Sequence, residues 1–245
     1  MEQDLTTGSV FKRIVYFSLP YLLSYFLQTL YGMADLFITG QFYGVDTITA
    51  VSNGSQIMHM MTVIIVGLAM GTTVTIGHSV GAKCMEQAEK IIGNTITLFM
   101  GIAVAFTVIL VVLVKPIVVL IATPQEAVAG TSIYLLICFI GIPFITAYNI
   151  ISSIFRGLGD SKSPMYFIGI ACVMNIALDY LFMGAFHMGA AGAALGTVCA
   201  QTFSVLVTLW VIRRRKTGIS LKKSDFKIER AVIGQVLKIG IPVAL

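Results

Sequence analysis

Two acidic side chains stand in stretches otherwise fit for hydrocarbon. Asp35 lies in QTLYGMADLFITG and Asp179 in MNIALDYLFM. An acid at the centre of a bilayer costs about 2.5–3.5 kcal/mol on insertion scales, and such residues mark an ion path, a substrate contact or a proton relay. The alternative is a buried, hydrogen-bonded acid that only locks helices together. Asn175 precedes Asp179 by four residues, so a helix puts both on one face. Gln28, Tyr31 and Asp35, spaced 3 and 4 apart, likewise give one face an amide, a phenol and a carboxylate. Thr197 sits in AAGAALGTVCAQ, where small residues let helix backbones approach closely. A threonine in mid-helix can equally bond its own backbone. Asn149 closes the fourth apolar run, with Ser152 and Ser153 after it. Two carboxylates, an amide and a hydroxyl are hard oxygen donors. Such a set suits a cation of sodium type, and it suits a proton equally well. Lysine and arginine are nearly absent at the same depth, which favours cationic cargo.

Holding these groups in place requires membrane-spanning helices. The chain has 245 residues, 57% hydrophobic and 11% charged, against roughly 25% charged in a soluble domain. This composition makes it an all-α polytopic membrane protein. A span needs about 20 apolar residues, and six runs qualify: 14–40, 48–76, 91–114, 127–150, 165–184 and 190–212. A seventh begins near 231. The runs are too long, and lack the alternation, for barrel strands. The first is too long for a signal peptide and continues through Pro20, so it is a retained helix. Pro20 permits a kink or hinge there, or a static bend.

The connections are asymmetric in charge. The N-terminal tail and the 77–90, 151–164 and 213–230 loops hold 14 lysines and arginines, against Lys115 alone in the other three. The positive-inside rule then puts the N-terminus and the 213–230 loop in the cytoplasm of a multi-pass protein of the plasma (inner) membrane. The pI near 9.0 therefore reflects topology rather than nucleic-acid binding. The run Arg213–Lys216 could also touch anionic lipid, or act as a solvated linker. Cys84, Cys138, Cys172 and Cys199 show no metal spacing and read as small buried hydrophobes. His59, His78 and His187 form no cluster.

IVYFSLPYLL (14–23) and VLKIGIPVAL (236–245) each follow a basic segment and each carry proline at the seventh place, Pro20 and Pro242. This spacing suggests that the seventh helix restarts the pattern of the first, in two parallel six-helix repeats. The expected organisation is a six-helix transmembrane lobe over 1–212, a basic inter-lobe linker over 213–230, and the start of a second lobe over 231–245. The chain then reads as a fragment of a longer protein.

Several blocks together resemble the MATE (multidrug and toxic compound extrusion) family, in its bacterial DinF-like branch. They are the first-helix pattern of Pro20, Tyr31 and Asp35; GHSVGAKCMEQAEK (77–90); RGLGDSKSPMY (156–166); NIALDYLFM; and GAAGAALGTVCAQ. The resemblance covers that family's N-terminal lobe and the start of its seventh helix. It implies a secondary antiporter, not an enzyme, that exports cationic or amphipathic drugs in exchange for Na+ or H+. No cofactor is implied beyond that ion, and the partners are the drug, the bilayer and a missing C-terminal lobe. It also implies a cation site of Asp35, Asn175, Asp179 and Thr197, with Gln28, Tyr31 and Asn149 lining the same cavity. Pro20 falls where the first helix would bend.

Two other readings use the same residues. A flippase for lipid-linked sugars would need deep basic residues to meet phosphate, and none is placed there. An intramembrane aspartyl protease would use a GxGD block and a Tyr-Asp pair. Here Gly157–Asp160 supplies GLGD, but the pair is Asp179-Tyr180, in reversed order, and Asp160 falls in a loop. A helix stop followed by a turn accounts for GLGD.

Overall fold

The computed structural model describes residues 9–214 and 221–244. Arg215 and Lys216 of the basic run, and Leu245, lie outside the described residues. Among the described residues there are seven α-helices and no strand. They are α1 (Val10–Phe42), α2 (Val45–Gly81), α3 (Met85–Leu120), α4 (Gln125–Gly157), α5 (Lys162–Asp179), α6 (Gly189–Arg214) and α7 (Arg230–Ala244). A π-helical turn, Tyr180–Ala185, continues α5, and a 3-10 turn, Lys223–Phe226, precedes α7.

Five of these helices are long and apolar enough to cross a membrane: α2, α3, α4, α6, and α5 with its π turn. The first helix departs from the expectation. At 33 residues α1 has the length, but Tyr16, Tyr21, Tyr25, Gln28, Tyr31 and Asp35 dilute its apolar run. The residues that weaken its hydropathy include those of the candidate site. It packs against α5 and α2.

The helices outrun the apolar windows at nearly every end. Lys90, Lys115, Arg156, Lys162 and Arg213 lie on helices rather than in loops, and Asn149 stands two turns inside α4 rather than at its end. An apolar run marks only what lies in hydrocarbon, whereas the i→i−4 ladder continues into water until a cap ends it. Three ends share one cap. After α2 the amide of Lys83 donates to Val80 O and that of Cys84 to Ser79 O; Ala122 with Thr123, and Gly159 with Asp160, repeat this after α3 and α4. The residue at each cap has positive φ: Lys83 at 61°, Ala122 at 50° and Gly159 at 87°. Asp160 then starts α5, its Oδ1 accepting the amides of Lys162 and Ser163 at 3.0 and 2.9 Å. GLGD is therefore a stop followed by a start, and its carboxylate is committed to that start, Oδ2 accepting from Ser163 Oγ.

The surface differs from that of a soluble domain, and polar groups join apolar ones in the interior. Val108, Val112, Phe37 and Trp210 are exposed, while Thr39, Thr72, Asn94, Asn175 and Asp179 are buried. Such a surface suits lipid. Cys138 and Cys172 are buried thiols, but Cys84 and Cys199 are exposed, against the expectation of four buried hydrophobes. At the lysine- and arginine-rich end, the Lys162 ammonium donates to Tyr16 Oη and the Arg156 guanidinium lies 4.5 Å from the Tyr21 ring centroid. These contacts fix the start of α1 against α4 and α5.

The segment before α7 is not a free tether where it is described. Asn94 Nδ2 of α3 donates to Asp225 O at 3.1 Å, and the Glu229 amide donates to Asn94 Oδ1 at 2.6 Å. Thr97 Oγ1 donates to Phe226 O at 3.0 Å. Gly93 leaves space for the Asp225 backbone. Beyond this clasp α7 lies on α2, where Gly67, Gly71 and Gly240 bring the two backbones together.

Candidate functional site

Three helices meet around the two acids. Asp35 comes from α1, Asn175 and Asp179 from α5, and Thr197 from α6. Asp35 is 3% exposed, and Asn175 and Asp179 are fully buried. Thr197 Oγ1 donates to Asp35 Oδ2 across 3.4 Å, longer than the usual hydroxyl bond of about 2.7–2.8 Å. It thus turns toward the acid rather than its own backbone. The Asp35 carboxyl also neighbours the Asp179 carboxyl and the Asn175 carboxamide. Tyr31 Oη is buried beside Asp35 and Thr197. From α4, Tyr134 and Cys138 back the same pocket, one turn apart.

Most polar atoms in this cluster have no protein partner. Asp35 Oδ1, both Asp179 oxygens, both Asn175 amide atoms and Tyr31 Oη are buried without a hydrogen bond. Two ionised carboxylates cannot donate to each other, and a buried charge without a counter-charge is costly. Among the described residues no lysine or arginine is buried, so no buried protein cation offsets the pair. A proton serves one oxygen; a metal cation serves several at once. Among the described residues no three histidine, cysteine or acidic side chains converge as a transition-metal site would require. The donors present are carboxylate, amide and hydroxyl oxygens, which fit a hard cation such as Na+.

Local structure holds these groups in register. Thr39 Oγ1, one turn beyond Asp35, donates to the Asp35 carbonyl at 2.6 Å and lies 3.5 Å from Met183 Sδ. Tyr43 Oη donates to Met183 O at 3.0 Å and accepts the Gly189 amide at 2.9 Å. That hydroxyl joins the end of α1 to the π turn and the start of α6. The π turn begins immediately after Asp179; such turns recur at functional sites because they break helical register. Sequence reasoning missed Tyr43, Met183 and the π turn, because no local spacing pairs residues 140 or more apart.

The remaining expected residues lie elsewhere or apart. Asn149 Nδ2 donates back to Ile145 O at 2.8 Å. Gln28 is half-buried on α1, and no hydrogen bond among the described residues ties it to the acids. Pro20 is buried within α1, its carbonyl also accepting from Ser24 Oγ at 2.8 Å. An apolar groove of about 690 Å³ runs between α1 and α5 past Leu23, Leu27, Ile170 and Val173; neither acid lines it.

Comparison with known proteins bears on the whole chain. The MatE family model matches residues 20–181. The chain is 33% identical over 243 residues to the probable multidrug resistance protein YpnP of Bacillus subtilis, covering 99% of this chain and 54% of that protein. It is 26% identical over 238 residues to the multidrug export protein MepA of Staphylococcus aureus, covering 96% of this chain and 52% of that one. Its fold superposes on a crystal structure of MATE in the bent conformation with TM-score 0.90 and 25% identity, over 97% of this chain and 53% of the other. The chain thus spans about half the length of the curated relatives it matches.

Proposed function

The chain belongs to the MatE family, and from that premise we propose that these 245 residues build the cation-coupled lobe of a secondary multidrug efflux transporter. Cationic or amphipathic compounds leave in exchange for inward Na+ or H+. The observation that carries this reading is the convergence of Asp35, Asn175, Asp179 and Thr197 from three helices, buried, with most of their polar atoms unpartnered. The relatives' names, multidrug resistance and multidrug export, support the cargo class.

The mechanism rests on exclusion. Each incoming cation removes one negative charge from the Asp35–Asp179 pair, and the lobe then loses attraction for a cationic drug. Cation loading and drug retention oppose each other, which is the linkage antiport requires. A potential of 100 mV contributes about 2.3 kcal/mol per inward charge. Pro20 gives α1 a point at which to bend as the site loads. The lysine- and arginine-rich ends face the cytoplasm of the plasma membrane, by the charge asymmetry of the chain.

A lipid-linked sugar flippase is disfavoured by the polarity of the interior. The buried charged residues among those described are Asp35, Asp179 and Asp225, all acidic, and a phosphate-bearing cargo would be repelled.

The test uses the protein at its native length, expressed from its own gene and reconstituted in liposomes. A sodium or proton gradient should drive ethidium out of the wild type. Asp35→Asn and Asp179→Asn should insert normally and lose at least nine-tenths of that flux. Undiminished extrusion by both variants would remove the reading.

A further inference from the structure

We propose that Gly196 sizes the acid pair for a metal cation: the missing side chain on α6 lets the Asp179 carboxylate lie against that helix, where several oxygens can close on one ion. This proposal rests on the cation-coupled reading above and deepens it by committing to Na+.

The geometry is specific to this position. Helices α5 and α6 run side by side, fastened at one level by Ser204 Oγ donating to Phe167 O at 2.9 Å. A Cβ at Gly196 would overlap Asp179 Oδ1, and would stand 3.2 Å from Asp179 Cγ and 3.5 Å from Asn175 Nδ2. The three nearest atoms all belong to Asp179 and Asn175 of α5. Elsewhere such close approaches serve packing: Gly67 and Gly71 of α2 meet the backbone of α7, and Gly54 meets the Tyr134 ring. Gly196 is the one described glycine whose missing side chain is replaced by the polar ends of a carboxylate and an amide. Glycine is a poor helix former in mid-helix, and the carboxylate accounts for its presence here.

Adding one methyl group therefore moves little except the site. The obstructing atom is the free end of a rotatable side chain, so the helices can keep their packing while Asp179 turns away from α6. Turning carries Oδ1 away from Asp35 and Asn175, its neighbours, whose own Oδ1 atoms, like Tyr31 Oη, are buried and unpartnered. A proton needs only one of these oxygens. A sodium ion needs several at fixed separation.

The experiment measures the unfolding temperature of the native-length protein in detergent, at constant ionic strength, against NaCl and choline chloride. Wild type should be stabilised by Na+. Gly196→Ala should unfold no lower than wild type in choline and bind Na+ at least tenfold more weakly. Gly101→Ala on α3, where a Cβ meets nothing within 4 Å, should behave as wild type. Equal Na+ affinity in wild type and Gly196→Ala overturns the role of Gly196 and leaves the cation-coupled reading standing. Loss of Na+ binding together with a lower unfolding temperature in choline also overturns it, because Gly196 would then be a packing residue. A wild type indifferent to Na+ overturns this proposal and sodium coupling together.

Discussion

Replacing Asn94 by alanine should release the clasp that holds the segment before α7. Asn94 is 1% exposed, and its carboxamide grips both sides of the turn, donating to Asp225 O at 3.1 Å and accepting from Glu229 N at 2.6 Å. The alanine variant leaves one carbonyl and one amide without those partners. A buried group left unpaired costs about 1–3 kcal/mol. Phe226, Lys227 and Glu229 are exposed, so water can partly compensate, and the lower end applies to each group. The total is about 2 kcal/mol, or roughly 30-fold in the local opening equilibrium. Hydrogen exchange of the native-length protein in lipid nanodiscs reads this directly. Amides of 225–229 should exchange about 30-fold faster in Asn94→Ala, with α5 unchanged. A change below about threefold would refute the reasoning, because the turn would then be held by something other than this side chain.

Two further outcomes follow from the packing. Tyr43→Phe keeps the ring but deprives Met183 O of its donor and the Gly189 amide of its acceptor; stability should fall by about 1–2 kcal/mol, read as a lower unfolding temperature, with weaker cation stabilisation because α1, the π turn and α6 lose their common tie. Gly71→Leu puts a side chain against the Val236 carbonyl, a backbone atom that cannot rotate aside; it should cost about 1–3 kcal/mol and widen the distance between spin labels on α2 and α7, whereas an unchanged distance would show that the crossing does not depend on that contact.

The class of the molecule was legible from residue types alone. Long apolar runs oblige a chain to place helices in lipid, and that obligation is local: each run carries it without reference to the others. The pairing of Asn175 with Asp179 was equally local, since helical periodicity alone puts residues four apart on one face. GLGD was readable as a stop because glycine at positive φ and an aspartate at a helix start act within a few residues. Helix ends were less legible, because hydropathy stops at the headgroups while backbone hydrogen bonds do not.

What only the tertiary structure decided is which helices become neighbours. Asp35 meets Thr197 across 162 residues, Tyr43 meets Met183 across 140, and Asn94 grips a turn 131 residues on. No period or propensity encodes such a meeting. It is set by side-chain volumes on opposing helix faces, where a glycine admits a carboxylate at 196 and a backbone at 71. In lipid the hydrophobic effect does not choose between apolar faces, so close packing and the satisfaction of buried polar groups make the choice, and both depend on residues far apart in the chain.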